Sequence, residues 1–255
     1  MLTTGRRTSQ MAVREAYLLA GATASGKSAA AAILAREMGA AILSADSMLV
    51  YRGMDVGTAK PSPEERLEFD MGGVDVVTPA EHFSSGAWLR AAAAWLEEVP
   101  VSRPIVIVGG TGLYFSALLR GLDREWTDPP PAYPVLQADR AVLHRRIEAR
   151  LDTMFLDGLA AEVETLRREY PIWSDTASAA IGYKEFIEGL PHAAIREKIL
   201  VRTRQLAKRQ DTWFRHQSTP LYVPIGVTAE ETAENVRRVW KARGPWTVCL
   251  EPKGA

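Results

Sequence analysis

The stretch Gly21-Ala22-Thr23-Ala24-Ser25-Gly26-Lys27-Ser28 constrains this chain more than any other feature. It fits G-x-x-x-x-G-K-[ST], a loop that works only between a strand and a helix. There its backbone N–H groups surround a phosphate chain and the helix N-terminus adds its dipole. The flanks agree with that context. Residues 17–20 form a short apolar run that stops at Gly21 and predicts a first strand. Lys27–Met38 is rich in alanine, stops at Gly39 and predicts a helix. Lys27 supplies a point charge, and the Ser28 hydroxyl is a candidate ligand for Mg²⁺. Gly21, Ala22, Thr23, Ala24, Ser25, Gly26, Lys27 and Ser28 are therefore the expected diphosphate-binding residues, although the loop does not say whose phosphates it holds.

The rest of the chain fits an α/β core. Residues 41–44 predict a second strand, and 84–98 a helix with Ser84 or Ser85 as N-cap. The β-branched run 105–108, between Pro104 and Gly109, predicts a buried parallel strand. Strands alternating with helices imply a parallel, doubly wound sheet of the P-loop NTPase kind with flanking helices. Residues 123–134, with Pro129, Pro130 and Pro131 in a row, read as a linker. Beyond them the segments 139–152, 159–169, 184–190, 193–216 and 228–242 read as helices, and 221–223 as a last strand. The expected organisation is a disordered tail over 1–14, a P-loop core over 15–122, a short linker over 123–138, and a helical part over 139–255 that completes the core.

Composition limits the function classes. The chain has 255 residues, 47% of them hydrophobic, enough for one sizeable core. Its formal net charge is zero, so a nucleic-acid binder of this balance must concentrate its positive charge locally. A single cysteine, Cys249, excludes a disulfide framework and a multi-cysteine zinc site. No apolar run reaches transmembrane length, and residues 1–11 are polar and basic, so a cytoplasmic monomer away from the membrane is expected.

Two further segments carry chemistry. Asp46 follows the second strand, where a parallel sheet faces its ligand crevice. A carboxylate there can hold Mg²⁺ through water, take a proton from a nucleophile, or cap a turn. The third strand runs into Gly109-Gly110-Thr111-Gly112, where an NTPase usually carries an acidic residue for Mg²⁺. These glycines either allow close approach to the backbone, with Thr111 presented as a hydroxyl, or simply turn the chain into a helix. The 193–216 helix carries Arg196, Lys198, Arg202, Arg204, Lys208, Arg209 and Arg215, with Trp213 and Phe214 near its end. Such a stripe suits a diphosphate or an RNA backbone, and is also what a solvated helix face looks like. Arg140, His144, Arg145, Arg146 and Arg150 make a second, weaker basic helix.

Together these residues resemble the tRNA dimethylallyltransferases, also called tRNA isopentenyltransferases. The resemblance is carried by the 21–28 loop, by the block from Asp46-Ser47-Met48-Leu49-Val50-Tyr51-Arg52 to Pro61, and by Gly109-Gly110-Thr111-Gly112-Leu113-Tyr114. Arg150-Leu151-Asp152-Thr153-Met154, Ile181-Gly182-Tyr183-Lys184-Glu185 and the 203–215 block follow in the family's order. It implies that the loop holds dimethylallyl diphosphate, with Mg²⁺, and that the acceptor is the N6 amine of an adenosine beside the anticodon of tRNA. It implies Asp46 as general base, Thr111 beside it, and Arg204 on the leaving diphosphate. Asp46, Ser47, Met48, Leu49, Thr111, Lys208 and Arg209 would meet the tRNA.

Three departures stand out. Leu49 replaces a usual glutamine, Met71 and Gly72 replace a usual histidine pair, and residues 123–139 are much shorter than the family's anticodon-stem insertion. The alternatives they leave are a prenyltransferase acting on free adenosine phosphates, a small-molecule kinase, and an inactive tRNA-binding remnant.

Overall fold

The computed structural model describes residues 13–120 and 132–249. Its first strand, β1 (Val13–Gly21), leads through the glycine-rich loop into α1 (Lys27–Met38), and β2 (Ala41–Ser44) follows. Then come α2 (Pro63–Glu68), α3 (Ser85–Glu98), β3 (Ile105–Gly109) and α4 (Gly112–Arg120). After the undescribed residues come β4 (Ala132–Gln137), α5 (Arg140–Leu156), α6 (Leu159–Glu169), and the short α7 (Asp175–Ser178) and α8 (Lys184–Ile187). The long α9 (His192–Gln217), β5 (Thr219–Pro224), α10 (Ala229–Arg243) and β6 (Trp246–Cys249) complete the order.

The sheet runs β2-β3-β1-β4-β5, all parallel, and β6 pairs antiparallel with the first half of β1. Leu18, Leu19, Ile42, Leu43, Val106 and Ile107 are all buried, as continuous apolar strands require when both faces of a parallel sheet are covered. α1 and α10 pack on each other, and Trp240 of α10 donates its indole N–H to Leu18 O on β1 at 3.0 Å. α5 and α9 pack together. Among the described residues no helix is long and apolar enough to cross a membrane.

The α/β core is as expected, with three corrections at its boundaries. The linker expected over 123–138 ends by residue 131, because Ala132–Gln137 is a strand between β1 and β5. Its Pro134 argues against a central strand, since proline cannot donate to a ladder. The β1 pairing begins only at Val135, opposite Ala20, so Pro134 lies outside that ladder. The tail expected over 1–14 overlaps β1, which already contains Val13 and Arg14; residues 1–12 lie outside the described set. Arg14 is basic but works as a brace, donating to Leu96 O, Val99 O and Pro100 O at the end of α3. The part over 139–255 returns the expected last strand to the sheet as β5, and adds a strand that was not expected, β6.

Candidate active site

A cavity of about 920 Å³ lies at the carboxyl ends of β2 and β3, against the glycine-rich loop. This is the crevice where open parallel sheets bind ligands. The loop has the conformation phosphate binding needs. Ala24 and Gly26 both take positive φ, 63° and 89°, which turns successive backbone N–H groups inward. Gly26 is the N-cap of α1, and no side chain caps that terminus, so its first N–H groups stay free for an anion. Gly21 is required because a Cβ there would stand 2.9 Å from Ser25 Oγ. Ser28 is exposed at the cavity wall.

Positive charge converges on this loop from two directions. Lys27 donates from Nζ to Ala22 O at 3.3 Å. Burial pushes its ammonium down to about 8, against the pull of the Asp46 carboxylate, and the Arg150 guanidinium lowers it further. Arg150 on α5 donates from Nη2 to Thr23 Oγ1 at 2.7 Å, and burial lowers its own proton affinity while Asp46 raises it. One turn earlier Arg146 donates to Ser25 O at 3.3 Å. Arg209 of α9 also lines the cavity. None of Lys27, Arg146, Arg150 and Arg209 is in an ion pair among the described residues.

Asp46 lines the same cavity, on the turn that leaves β2. Its Oδ1 accepts from Met48 N–H at 2.9 Å, and no described group bonds its other oxygen. The turn-capping use of this residue and the chemical use are thus compatible, one oxygen serving each. The turn is braced from below: Trp88 donates to Ser44 O at 3.0 Å and stacks on Tyr114 with ring centroids 4.3 Å apart. Burial, then the nearby Asp46 and Tyr51, push the Tyr114 phenol well above the usual range, so it stays protonated beside the carboxylate.

Thr111 joins this turn from β3. Its N–H donates to Ala45 O at 3.1 Å, and its Oγ1 accepts from Ser47 N–H at 2.9 Å and approaches Ser47 Oγ at 3.3 Å. Thr111 therefore hydrogen-bonds Ser47, and among the described residues no hydrogen bond joins it to Asp46. The glycines around it serve the protein's own packing. A Cβ on Gly109 would overlap Ala45 O, one on Gly110 the amide of Gln210, and one on Gly112 the ring of Trp213.

Other expected site residues divide. Ser47, Met48 and Leu49 line the cavity with Asp46 and Thr111. Met71 also lines it, while Gly72 is pressed against the Trp95 ring. Arg204 does not line the cavity; its guanidinium lies 3.6 Å from Glu148 of α5. Much of the α9 stripe is spent the same way, with Arg196 on Asp152, Arg202 on Glu185 and Glu188, and Arg215 on Asp211. Lys208 and Arg209, with Trp213 and His216, line a second, more open cavity of about 500 Å³.

Sequence reasoning passed over three groups. Arg146 and Arg150 were only part of a weak basic helix, although their i, i+4 spacing puts both on one face. Gln210 binds the loop and the glycine turn at once. Glu162 accepts from the N–H groups of Asp55, Val56 and Gly57 at 3.0, 2.7 and 3.1 Å and from Tyr183 Oη at 2.6 Å, fixing the cavity wall at 57–61.

The family model described as IPP transferase matches residues 49–134 and 125–217, and the one described as isopentenyl transferase matches 14–70. The chain is 33% identical to a tRNA dimethylallyltransferase of Azoarcus sp., over 89% of this chain and 96% of that one. It is 35% identical to the tRNA dimethylallyltransferase of Thiobacillus denitrificans, over 88% and 95%. The Azoarcus alignment runs over 312 positions, more than this chain has residues, so that relative carries sequence with no counterpart here. A tRNA isopentenylpyrophosphate transferase structure from Staphylococcus epidermidis superposes with a TM-score of 0.75 at 24% identity, covering 89% of this chain and all of the other. Matched by family models over most of its length, and 33% and 35% identical to two relatives across 96% and 95% of theirs, the chain belongs to the IPP transferase family, that of the tRNA dimethylallyltransferases.

Proposed function

We propose that the protein transfers a dimethylallyl group from dimethylallyl diphosphate to the N6 amine of an adenosine beside the anticodon of tRNA, in the cytoplasm. The observation that carries the diphosphate half is the set of four cations without ion pairs, Lys27, Arg146, Arg150 and Arg209, on the wall of one cavity. Arg209 is exposed, but Lys27, Arg146 and Arg150 are part-buried; such charge without a partner is costly, and a diphosphate would relieve it. Gly21 to Ser28 would hold that ligand at the end of the central strand, and Asp46 lines the same cavity with one carboxylate oxygen that no described group bonds.

The roles follow from these positions. The N6 nitrogen forms a bond to the allylic carbon as that carbon's bond to the diphosphate oxygen breaks. The electron pair leaves with the diphosphate, and Asp46 takes the proton from nitrogen. Lys27, Arg150 and the N-terminus of α1 stabilise the charge where it develops. The Ser28 hydroxyl at the cavity wall is the side chain that would hold Mg²⁺; no group of three or more His, Cys, Asp or Glu side chains is placed for a metal among the described residues. When bound, Mg²⁺ would neutralise part of the leaving charge. Ser47, Met48, Leu49 and Thr111 would receive the unstacked adenine, and Lys208 and Arg209 the RNA backbone.

One observation favours a second reading, transfer to a free adenosine phosphate. The family match comes in two pieces that meet at residues 125–134, where the chain is short. Labelled dimethylallyl diphosphate offered with unmodified tRNA, with AMP and without acceptor separates the two. Transfer to tRNA with a kcat/KM well above that for AMP is expected; equal efficiency on both would overturn the tRNA reading.

A further inference from the structure

Gln210 occupies a position that no sequence motif announces as chemical. It lies on α9, and its Oε1 accepts from the backbone N–H of Thr23 in the phosphate loop at 2.8 Å. Its Nε2 donates to Gly110 O in the turn that carries Thr111, at 3.0 Å. Among the described residues it is the one side chain hydrogen-bonded to both the phosphate loop and this turn. The contact is close enough that a Cβ on Gly110 would overlap the amide of Gln210. One turn of helix on, Trp213 lies equally close to Gly112. Thr111 is thus held between α9 on one side and Ala45 and Ser47 on the other.

We infer that Gln210 is a positioning residue that fixes the separation between the diphosphate and the acceptor side of the site. This rests on the proposed transfer reaction. The leaving group is held by the 21–28 loop, and the acceptor by the Asp46 turn and Thr111. These two halves sit on different strands, and bond formation requires their cargoes within about 3–3.5 Å in an aligned geometry. A bidentate amide on the cavity wall that donates to one half and accepts from the other sets that distance through the two backbones it holds. Its acceptor half has a second consequence. It engages Thr23 N–H, so this amide is withdrawn from the anion nest; Ser25 N–H donates to Ala22 O at 3.3 Å, which leaves the phosphates to the N–H groups of Ala24 and of residues 26–28. Glutamine suits the task because it presents a donor and an acceptor on one rigid plane. Glutamate could still accept from Thr23 but would face the Gly110 carbonyl with a second oxygen.

The test uses Gln210→Met, which keeps length and bulk without hydrogen bonds, and Gln210→Glu, which keeps only the acceptor. Three quantities are read: kcat for transfer to tRNA, the affinity for inorganic diphosphate alone, and the melting temperature. For Gln210→Met we expect kcat to fall tenfold or more, diphosphate affinity to stay within threefold, and the melting temperature to move by a few degrees at most. Gln210→Glu should be no better than Gln210→Met. A kcat within threefold of wild type in Gln210→Met would overturn the inference. So would a fall in diphosphate affinity that accounts for the whole loss, since Gln210 would then serve the loop alone. Wild-type protein in the same assay keeps the two levels apart, because absence of transfer by wild type refutes the proposed reaction and not the latch.

Discussion

Arg150→Met separates a charge placed for a ligand from a charge placed for the fold. Arg150 is part-buried, hydrogen-bonded to Thr23 Oγ1 at 2.7 Å, and next to Lys27, whose proton affinity it lowers. In the free protein these are two desolvated like charges with Asp46 as partial compensation, so removing one relieves repulsion. Methionine keeps the apolar stem that packs along α5. The unliganded protein should therefore melt at the wild-type temperature or above it. With diphosphate bound the balance reverses. A hydrogen bond to a charged group is worth about 1.5–3 kcal/mol. At about 1.4 kcal/mol per factor of ten, that predicts a loss of about 10- to 150-fold in diphosphate affinity and in kcat/KM for dimethylallyl diphosphate. The assay is a thermal melt with and without inorganic diphosphate, beside steady-state kinetics. Ligand raises the melting temperature in proportion to RT ln(1 + [L]/Kd), so the variant's increment should shrink by the same free energy. A variant that melts well below wild type without ligand, yet gains as much from diphosphate, would show that Arg150 is structural.

Further outcomes follow from the same geometry. Lys27 titrates at about 8 in the free protein, below its ordinary 10.5, and must be protonated to hold diphosphate. kcat/KM for dimethylallyl diphosphate, which reports the free enzyme, should therefore fall above about pH 8, while kcat, measured with the anion bound, should hold to higher pH. The stability sign is opposite: between about 8 and 10.5 the unfolded chain binds more protons at this group, so its contribution to unfolding free energy rises with pH, read from melts in Lys27→Met against wild type. Asp46→Asn keeps the bond from Met48 N–H and loses the base, so kcat should drop about 10²–10⁴-fold with tRNA affinity little changed; turnover within threefold of wild type would make Asp46 a turn cap only. Gly112→Ala drives a methyl into the Trp213 ring and should cost about 1–3 kcal/mol, with Trp213→Ala restoring part of it in the double variant; simple additivity would contradict the contact.

What the sequence made legible was what local chemistry dictates. The phosphate loop, α1, β2 and β3 are marked by glycine punctuation and short apolar runs, and Ser84 caps α3 as expected by accepting from Ala87 N–H. β4 and β6 were not legible, because each is a strand only through a distant partner. Tyr133 and Val135 are buried between β1 and β5 despite Pro134, and Trp246–Cys249 pairs with the first residues of β1. The site divided along the same line. Asp46 and Thr111 sit beside strand ends, where position alone indicates function. The basic residues of α5 and α9 look alike in sequence, and which of them face the loop depends on how the two helices pack. Glu148, Asp152, Glu185 and Glu188, all from other elements, neutralise Arg196, Arg202 and Arg204 and leave Arg146, Arg150 and Arg209 to the cavity.

The missing carboxylate after β3 has a steric cause. In phosphoryl-transfer enzymes an acidic side chain near this place holds the metal. Here a Cβ on Gly109, Gly110 or Gly112 would run into Ala45, Gln210 or Trp213, and the one side chain the turn accommodates is Thr111. A carboxylate at any of these three glycines is thus blocked by the packing of α9 and the β2 turn on the end of β3. The site's carboxylate is Asp46 at the end of β2, near enough to Lys27 and Arg150 to raise the proton affinity of both. The cations suit a reaction in which the whole diphosphate departs. The developing charge then spreads over both phosphates, and cations must meet it from two sides: Lys27 and the N-terminus of α1 from the sheet, Arg146 and Arg150 from α5. In the proposed transfer Asp46 would offset part of the cationic charge in the free protein and take the proton that the acceptor nitrogen gives up.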